Sequence, residues 1–110
     1  MDTSGDYDTE IRYLLGYARD DWLGFSVISG AVASLLGKGA TRQELTSMTL
    51  RIVSDLYDGG VRAGDLSASE AHPFSPWGAE KQEILERVES DMRKLSGMPD
   101  SGDICWFTIP

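Results

Sequence analysis

Apolar residues recur at helical spacing in four segments of the chain, and these segments predict the main elements of the fold. In the first segment, Ile11, Leu14 and Ala18 lie on one side of a helix. Acidic residues stand near its start and Arg19 near its end, as the helix dipole favours. Residues 1–5 are mostly small and polar, and we expect them to be frayed.

The second segment, Trp22 to Leu36, is apolar on most sides and predicts a buried helix. Asp20 and Asp21 precede it, either as a linker or as its N-cap. A strand over residues 25–28 is the alternative, but the length of the apolar run favours a helix. Gly37 then provides a helix stop.

The third segment has the clearest helix start in the chain. Thr41 and Glu44 have the spacing of a capping box, in which the two side chains bind each other's backbone N–H groups. The apolar positions that follow on one face are Leu45, Met48, Ile52, Val53 and Leu56. Two glycines after Asp58 end the helix, and Val61–Leu66 then predicts a short strand.

The fourth helical segment follows residues 67–76, which are rich in turn-forming residues and predict a surface loop. Ser75 and Pro76 have the sequence of an N-cap followed by proline at the first helical position. The inward stripe of this helix comprises Ile84, Leu85, Val88, Met92 and Leu95. Gly97 and Pro99 are expected to stop it.

The chain closes on Ile104–Ile109, whose β-branched and aromatic residues predict a strand. Its natural partner is Val61–Leu66, because a lone strand leaves its backbone groups unpaired. The predicted fold is α+β and mostly α, with three to four helices packed on a short two-stranded β element in a single domain, residues 1–110. The order of two helices and a two-stranded element also resembles that of a winged helix.

The charge of the chain limits its partners. The 110 residues carry ten Lys and Arg against eighteen Asp and Glu, which gives a formal charge of −8. Such a field repels nucleic-acid phosphates and anionic lipid heads, and it attracts basic surfaces. We therefore expect a basic protein partner, with no nucleic acid and no membrane.

The acidic N-terminus does not have the basic and then apolar pattern of a secretory signal. The apolar run of residues 22–36 is too short to span a bilayer, so we expect a cytoplasmic protein. Cys105 is the only cysteine and has apolar neighbours, which indicates a buried and inert thiol.

Few residues suggest catalysis. His72 is the only histidine, and one histidine with Glu70 nearby makes neither a triad nor a metal site. The acidic groups at residues 6–10 and 100–103 lack the residue order of a calcium loop and fit helix-capping and turn roles. We expect no catalytic residues, no metal site and no cofactor.

The candidate partner-binding residues are acidic or aromatic. Glu80, Glu83 and Glu86 line one face of the fourth helix, either as a solvated face or as a docking face for a basic protein. Trp77 and Trp106 either close the core or anchor an interface. The full predicted set is Asp20, Asp21, Asp58, Asp65, Glu70, His72, Trp77, Glu80, Glu83 and Glu86.

Three stretches of the second half carry a resemblance to a known class of protein. They are GGVRAGDL at 59–66, PFSPWGAEKQEILERV at 73–88 and LSGMPDSGDICWF at 95–107. Residues 41–110 resemble small acidic bacterial proteins of the immunity-protein type, which end in a GDI-x-W-F strand. The resemblance implies a protein that neutralises a basic toxin domain by masking its active site, and it implies no catalytic residues.

The sequence therefore favours a non-enzymatic protein-binding module, an immunity protein or antitoxin that occludes the basic active-site cleft of a bacterial toxin. Its acidic side chains would steer association with that cleft. The alternatives are a winged-helix-like regulatory protein and a small enzyme.

Overall fold

The computed structural model describes residues 3–109 and contains four helices and four short strands. Of the stretch expected to be frayed, residues 1 and 2 lie outside the described residues, and the first helix begins at Thr3. The elements in chain order are α1 Thr3–Asp20, β1 Leu23–Gly24, α2 Phe25–Leu36, α3 Arg42–Asp58, β2 Arg62–Leu66, β3 Phe74–Pro76, α4 Lys81–Arg93 and β4 Trp106–Thr108.

The strands form one antiparallel sheet in the order β1-β4-β2-β3. The predicted class, α+β and mostly helical, is confirmed, and so is the predicted pairing of the second and last strands, with Ala63 opposite Phe107. The sheet is larger than the two-stranded element expected from the sequence. Each outer strand has at most three residues, too few to show an alternating pattern.

The beginning of α2 differs from the prediction. Asp20 is the last residue of α1, and the N–H of Asp21 donates to the carbonyl of Tyr17 at 2.8 Å, so these aspartates close α1 and do not cap α2. The N-cap of α2 is Gly24, which has no side chain to supply a capping bond. The alternative strand at residues 25–28 is wrong, because those residues are helical.

The capping box of α3 is confirmed. The N–H of Glu44 donates to Thr41 Oγ1 at 3.1 Å, and the N–H of Thr41 donates to Glu44 Oε1 at 3.0 Å. The bond from the Thr41 backbone, followed by that from its side chain, holds the pKa of Glu44 below its usual value. Both partners stabilise the first turn of the helix.

The predicted start of α4 at Ser75 and Pro76 is wrong. Both residues belong to β3, where they lie opposite Asp65 and Gly64. Proline is tolerated there because β3 is an edge strand and needs no N–H on its free side. The helix instead begins at Lys81, five residues later than the predicted first helical position.

The core lies between the helices and one face of the sheet. At its centre Phe25 of α2 meets Phe107 of β4 edge to face, with ring centroids 5.2 Å apart. Cys105 is buried as expected, and burial raises the pKa of its thiol far above the ordinary value. Among residues 3–109, no helix has the length and apolar composition needed to cross a bilayer.

Candidate protein-interaction surface

The face of the sheet that points away from the helices is lined by aromatic rings. Leu23, Ala63 and Phe107 are buried in the core, so strand alternation places their neighbours on the other face. A Cβ atom on Gly24 would lie 3.0 Å from Cζ3 of Trp106. The Trp106 indole therefore lies close to a strand position without a side chain.

The same arrangement recurs at Gly64, where a Cβ atom would lie 2.7 Å from Cζ of Phe74. Leu66 pairs with Phe74 and lies two residues from Gly64, so it shares this face. Trp22 lies two residues before Gly24 and shares it as well. We call these four side chains, Trp22, Leu66, Phe74 and Trp106, the outer sheet face.

The outer sheet face does not pack against the core. Trp106 and Phe74 are partly buried, but neither belongs to the hydrophobic side chains that contact the buried cluster. Trp22 is 38% exposed and Leu66 is 37% exposed. Large apolar residues left outside the core and grouped on one face are typical of an interaction site.

A groove on α1 extends this surface past the edge of the sheet. Tyr13, which is 56% exposed, meets Tyr17 edge to face at 6.2 Å between ring centroids, and Gly16 leaves the space beside them open. Asp20 and Asp21 line both this groove and a neighbouring one. The neighbouring groove also includes Trp22, so the tyrosines and the outer sheet face form a continuous surface.

Carboxylates border the outer sheet face on the side of β1. Among residues 3–109, neither Asp20 nor Asp21 takes part in an ion pair. The turn at residues 100–103 lies beside Gly24, and its exposed Asp100 and Asp103 carboxylates accept bonds from backbone N–H groups of the turn. This border can therefore attract a cationic partner.

The arginines near this surface are few, and one of them, Arg62, is held by contacts within the protein. The Arg62 guanidinium lies 4.0 Å from the ring centroid of Tyr57 and donates to the carbonyls of Tyr57 and Val61. Arg12 lines the groove of Tyr13 and Tyr17, and Arg19 lines the same groove as Trp22, but neither lies over an aromatic ring of residues 3–109. The surface is therefore aromatic, and its border carries both carboxylates and arginines.

Three of the predicted partner-binding residues, Asp58, Asp65 and Trp77, make contacts around the start of α4. Lys81 pairs with Asp58 at 3.0 Å. The indole N–H of Trp77 donates to Asp65 at 3.1 Å, and the Arg87 guanidinium lies 3.6 Å from the centroid of the Trp77 ring. Trp77 also packs against the core, so its polar group and one ring face are used within the protein.

The other seven predicted residues take no part in these contacts. Glu70 and His72 are exposed in the loop between β2 and β3, and Glu83 and Glu86 are exposed on α4. Glu80 is the N-cap residue of α4 and makes no side-chain capping bond. Asp20 and Asp21 lie beside β1, at the opposite edge of the sheet from β3, so the predicted set does not form one surface.

Buried polar groups serve packing in this fold. The Tyr7 hydroxyl of α1 donates to the Asp55 carboxylate of α3, and the Arg51 guanidinium lies 4.0 Å from the centroid of the Tyr7 ring. Burial, followed by this hydrogen bond, raises the pKa of Tyr7 well above its ordinary value. Among residues 3–109, no group of three His, Cys, Asp or Glu side chains is placed to hold a metal ion.

Sequence reasoning missed Tyr13, Trp22, Leu66 and Phe74 as surface residues. Trp22 follows two aspartates at the end of α1, and this Asp-Asp-Trp order was the available signal for an exposed aromatic ring. Comparisons of the chain with protein-family profiles, curated proteins and solved structures find no match.

Proposed function

We propose that this chain is a non-enzymatic protein-binding module that neutralises a basic partner, in the manner of an immunity protein that occludes the active-site cleft of a toxin domain. The outer sheet face carries this proposal. It offers two tryptophans, a phenylalanine and a leucine outside the core. Tryptophan is among the residues that contribute most to protein–protein binding.

The charge supports a basic partner. The formal charge of −8 would steer a cationic domain toward this protein and raise the association rate. Asp20 and Asp21 border the outer sheet face, where they add local complementarity to a cationic cleft. The aromatic rings would supply the desolvated centre of the interface, and the carboxylates its polar rim.

Co-purification with a defined partner tests this function. The partner is the C-terminal domain of the protein encoded by the gene next to this one, expressed with and without this chain. We expect a stable complex and rescue of cells that express the domain. Failure to bind together with failure to rescue would overturn the proposal. A complex without rescue would contradict neutralisation.

A winged-helix-like regulatory protein is the second candidate, because α2, α3 and the β2–β3 hairpin follow each other in the expected order. The two cations of α3 are engaged within the protein, however. Arg42 donates to the carbonyls of Met92 and Leu95, both at 2.7 Å, and Arg51 lies over Tyr7. Such a helix has little free positive charge for phosphate contacts.

Retention on DNA at physiological salt distinguishes the two candidates. The regulatory function requires sequence-specific retention that survives competition with unrelated DNA. We expect no retention, because the formal charge of −8 opposes approach to the phosphates. Specific retention would favour the regulatory function over neutralisation.

A further inference from the structure

We propose that the outer sheet face recognises arginine side chains of the basic partner, which stack on Trp22 and Trp106 and pair with the carboxylates beside them. The inference rests on the proposed function, since it names the chemistry by which that partner would dock. The occupant is a basic polypeptide that presents arginine at its surface.

The protein itself contains the same recognition unit in assembled form. At Trp77, an arginine lies 3.6 Å from the ring centroid, and a carboxylate accepts the indole N–H at 3.1 Å. Tyr7 repeats the combination, with Arg51 over its ring and Asp55 on its hydroxyl. An aromatic ring, a carboxylate and a guanidinium therefore pack together at two places in this protein, as cation–π and hydrogen-bonding contacts favour.

Trp22 presents two of the three components. Its backbone N–H donates to Asp21 Oδ1 at 2.7 Å, and Asp21 lines the same groove as Trp22. Among residues 3–109, no guanidinium or ammonium group lies over the ring of Trp22 or of Trp106. The third component would come from the partner.

The geometry favours docking of side chains on the face over addition of a strand at the edge. The free edge of β3 is short and is bounded by Pro73 and Pro76, which supply no N–H groups. Such an edge is poorly suited to extension by another strand. A partner therefore gains most by placing planar guanidinium groups on the rings, with Asp20 and Asp21 within reach of their N–H donors.

Arginine should be preferred over lysine. Its guanidinium is planar, stacks on aromatic rings and binds carboxylates with two donors, whereas the ammonium of lysine is a compact and strongly hydrated charge. With one or two stacked groups, we expect hexa-arginine to bind about threefold more tightly than hexa-lysine.

The three tryptophans make a direct test. The indole N–H signals of Trp22, Trp77 and Trp106 are recorded by NMR on the ¹⁵N-labelled full chain and assigned with single Trp→Phe variants. Hexa-arginine, hexa-lysine and hexa-glutamate are titrated at equal ionic strength. We expect hexa-arginine to move the Trp22 and Trp106 signals saturably, while the Trp77 signal, whose N–H is bonded to Asp65, stays in place.

Matched variants locate the effect. Asp21→Asn should weaken hexa-arginine binding about threefold, because the substitution removes a carboxylate charge and nearly preserves its shape. The double variant Glu83→Gln and Glu86→Gln changes exposed carboxylates on α4 and should bind as the parent does. Equal affinity for hexa-arginine and hexa-lysine, or shifts confined to Trp77, or the absence of shifts would each overturn the inference.

Failure of this inference and failure of the proposed function give different results. If the neighbour-encoded domain binds and is neutralised while hexa-arginine leaves Trp22 and Trp106 unchanged, the arginine docking is wrong and the function stands. If hexa-arginine binds at Trp22 and Trp106 while that domain is neither bound nor neutralised, the recognition chemistry stands and the function is wrong.

Discussion

The indole ring of Trp106 covers Gly24, so that the outer sheet face has an aromatic ring where a side chain would otherwise stand. Ser101 approaches the same position, and its hydroxyl lies 2.6 Å from that of Ser26 at the start of α2. Gly24 therefore allows β1, the 100–103 turn and the Trp106 ring to meet at one point.

A substitution at Gly24 should disrupt this meeting point. In Gly24→Ala, the new Cβ would lie 2.8 Å from Cβ of Ser101 and 3.0 Å from Trp106, so the turn or the ring must move. We expect the free energy of unfolding to fall by about 1–3 kcal/mol, as for overpacking of a tight contact. Urea denaturation followed by circular dichroism measures the change.

Gly30→Ala is the matched control. Gly30 is exposed within α2 and has nothing within 4 Å of a Cβ atom, so alanine should raise stability by about 0.5–1 kcal/mol through its better helix propensity. Loss of stability in both variants to the same extent would show that Gly24 has no special contact.

The capping box of α3 should be visible in a denaturation experiment. Thr41→Ala removes the side-chain acceptor for the N–H of Glu44 and should lower the free energy of unfolding by about 1 kcal/mol at pH 7.

Glu44 should add a pH-dependent part to this stability. Because the pKa of Glu44 is lowered in the folded state, its contribution to the free energy of unfolding is present above its unfolded pKa and is lost as the pH falls through its folded pKa. The Glu44→Gln difference should therefore shrink toward zero in acid, and a difference that grows in acid would contradict this sign.

The hydrogen bond between Tyr7 of α1 and Asp55 of α3 should contribute to the stability of the fold. Tyr7→Phe leaves the carboxylate without its hydroxyl donor and should lower stability by about 1–3 kcal/mol near neutral pH. Since the folded pKa of Tyr7 is raised, this contribution is fully present below its unfolded pKa of about 10 and declines as the pH rises above that value. A pH series of urea denaturation curves checks this, and a difference that is constant up to pH 11 would contradict it.

Cys105 should react slowly with thiol reagents in the folded protein. Burial raises the pKa of the thiol, so the thiolate fraction is low, and burial also restricts the access of the reagent. We expect the rate of reaction with a chromogenic disulfide to rise by at least about tenfold on denaturation in guanidinium chloride. Equal rates in the folded and unfolded states would show that the thiol is accessible.

Local chemistry explains which elements could be predicted. The capping box at Thr41 and the periodicity of α3 and α4 depend on residues that are close in the sequence, so they could be predicted from it. The strands β1 and β3 were not, because they exist only where β4 and β2 offer them backbone partners. Ser75 and Pro76 have the local sequence of a helix start, but pairing with β2 places them in a strand.

The candidate site was harder to predict for the same reason. Trp22, Leu66, Phe74 and Trp106 come from the regions of four different strands, and only the strand order places them on one face. The largely apolar segment Trp22 to Leu36 suggested that Trp22 was buried, whereas Trp22 is more exposed than most of that segment. The acidic residues could be identified from the sequence. The sequence did not show that the fold separates them onto opposite edges of the sheet.

The affinity for the neighbour-encoded domain, measured by titration calorimetry, tests most directly whether the outer sheet face is the binding surface. Trp22→Ala and Phe74→Ala are compared with the parent and with the double variant Glu83→Gln and Glu86→Gln, after circular dichroism has shown that each is folded. We expect each aromatic substitution to weaken binding by at least about tenfold and the α4 variant to change it by less than about threefold. Full affinity in both aromatic variants, with strong loss in the α4 variant, would contradict this account.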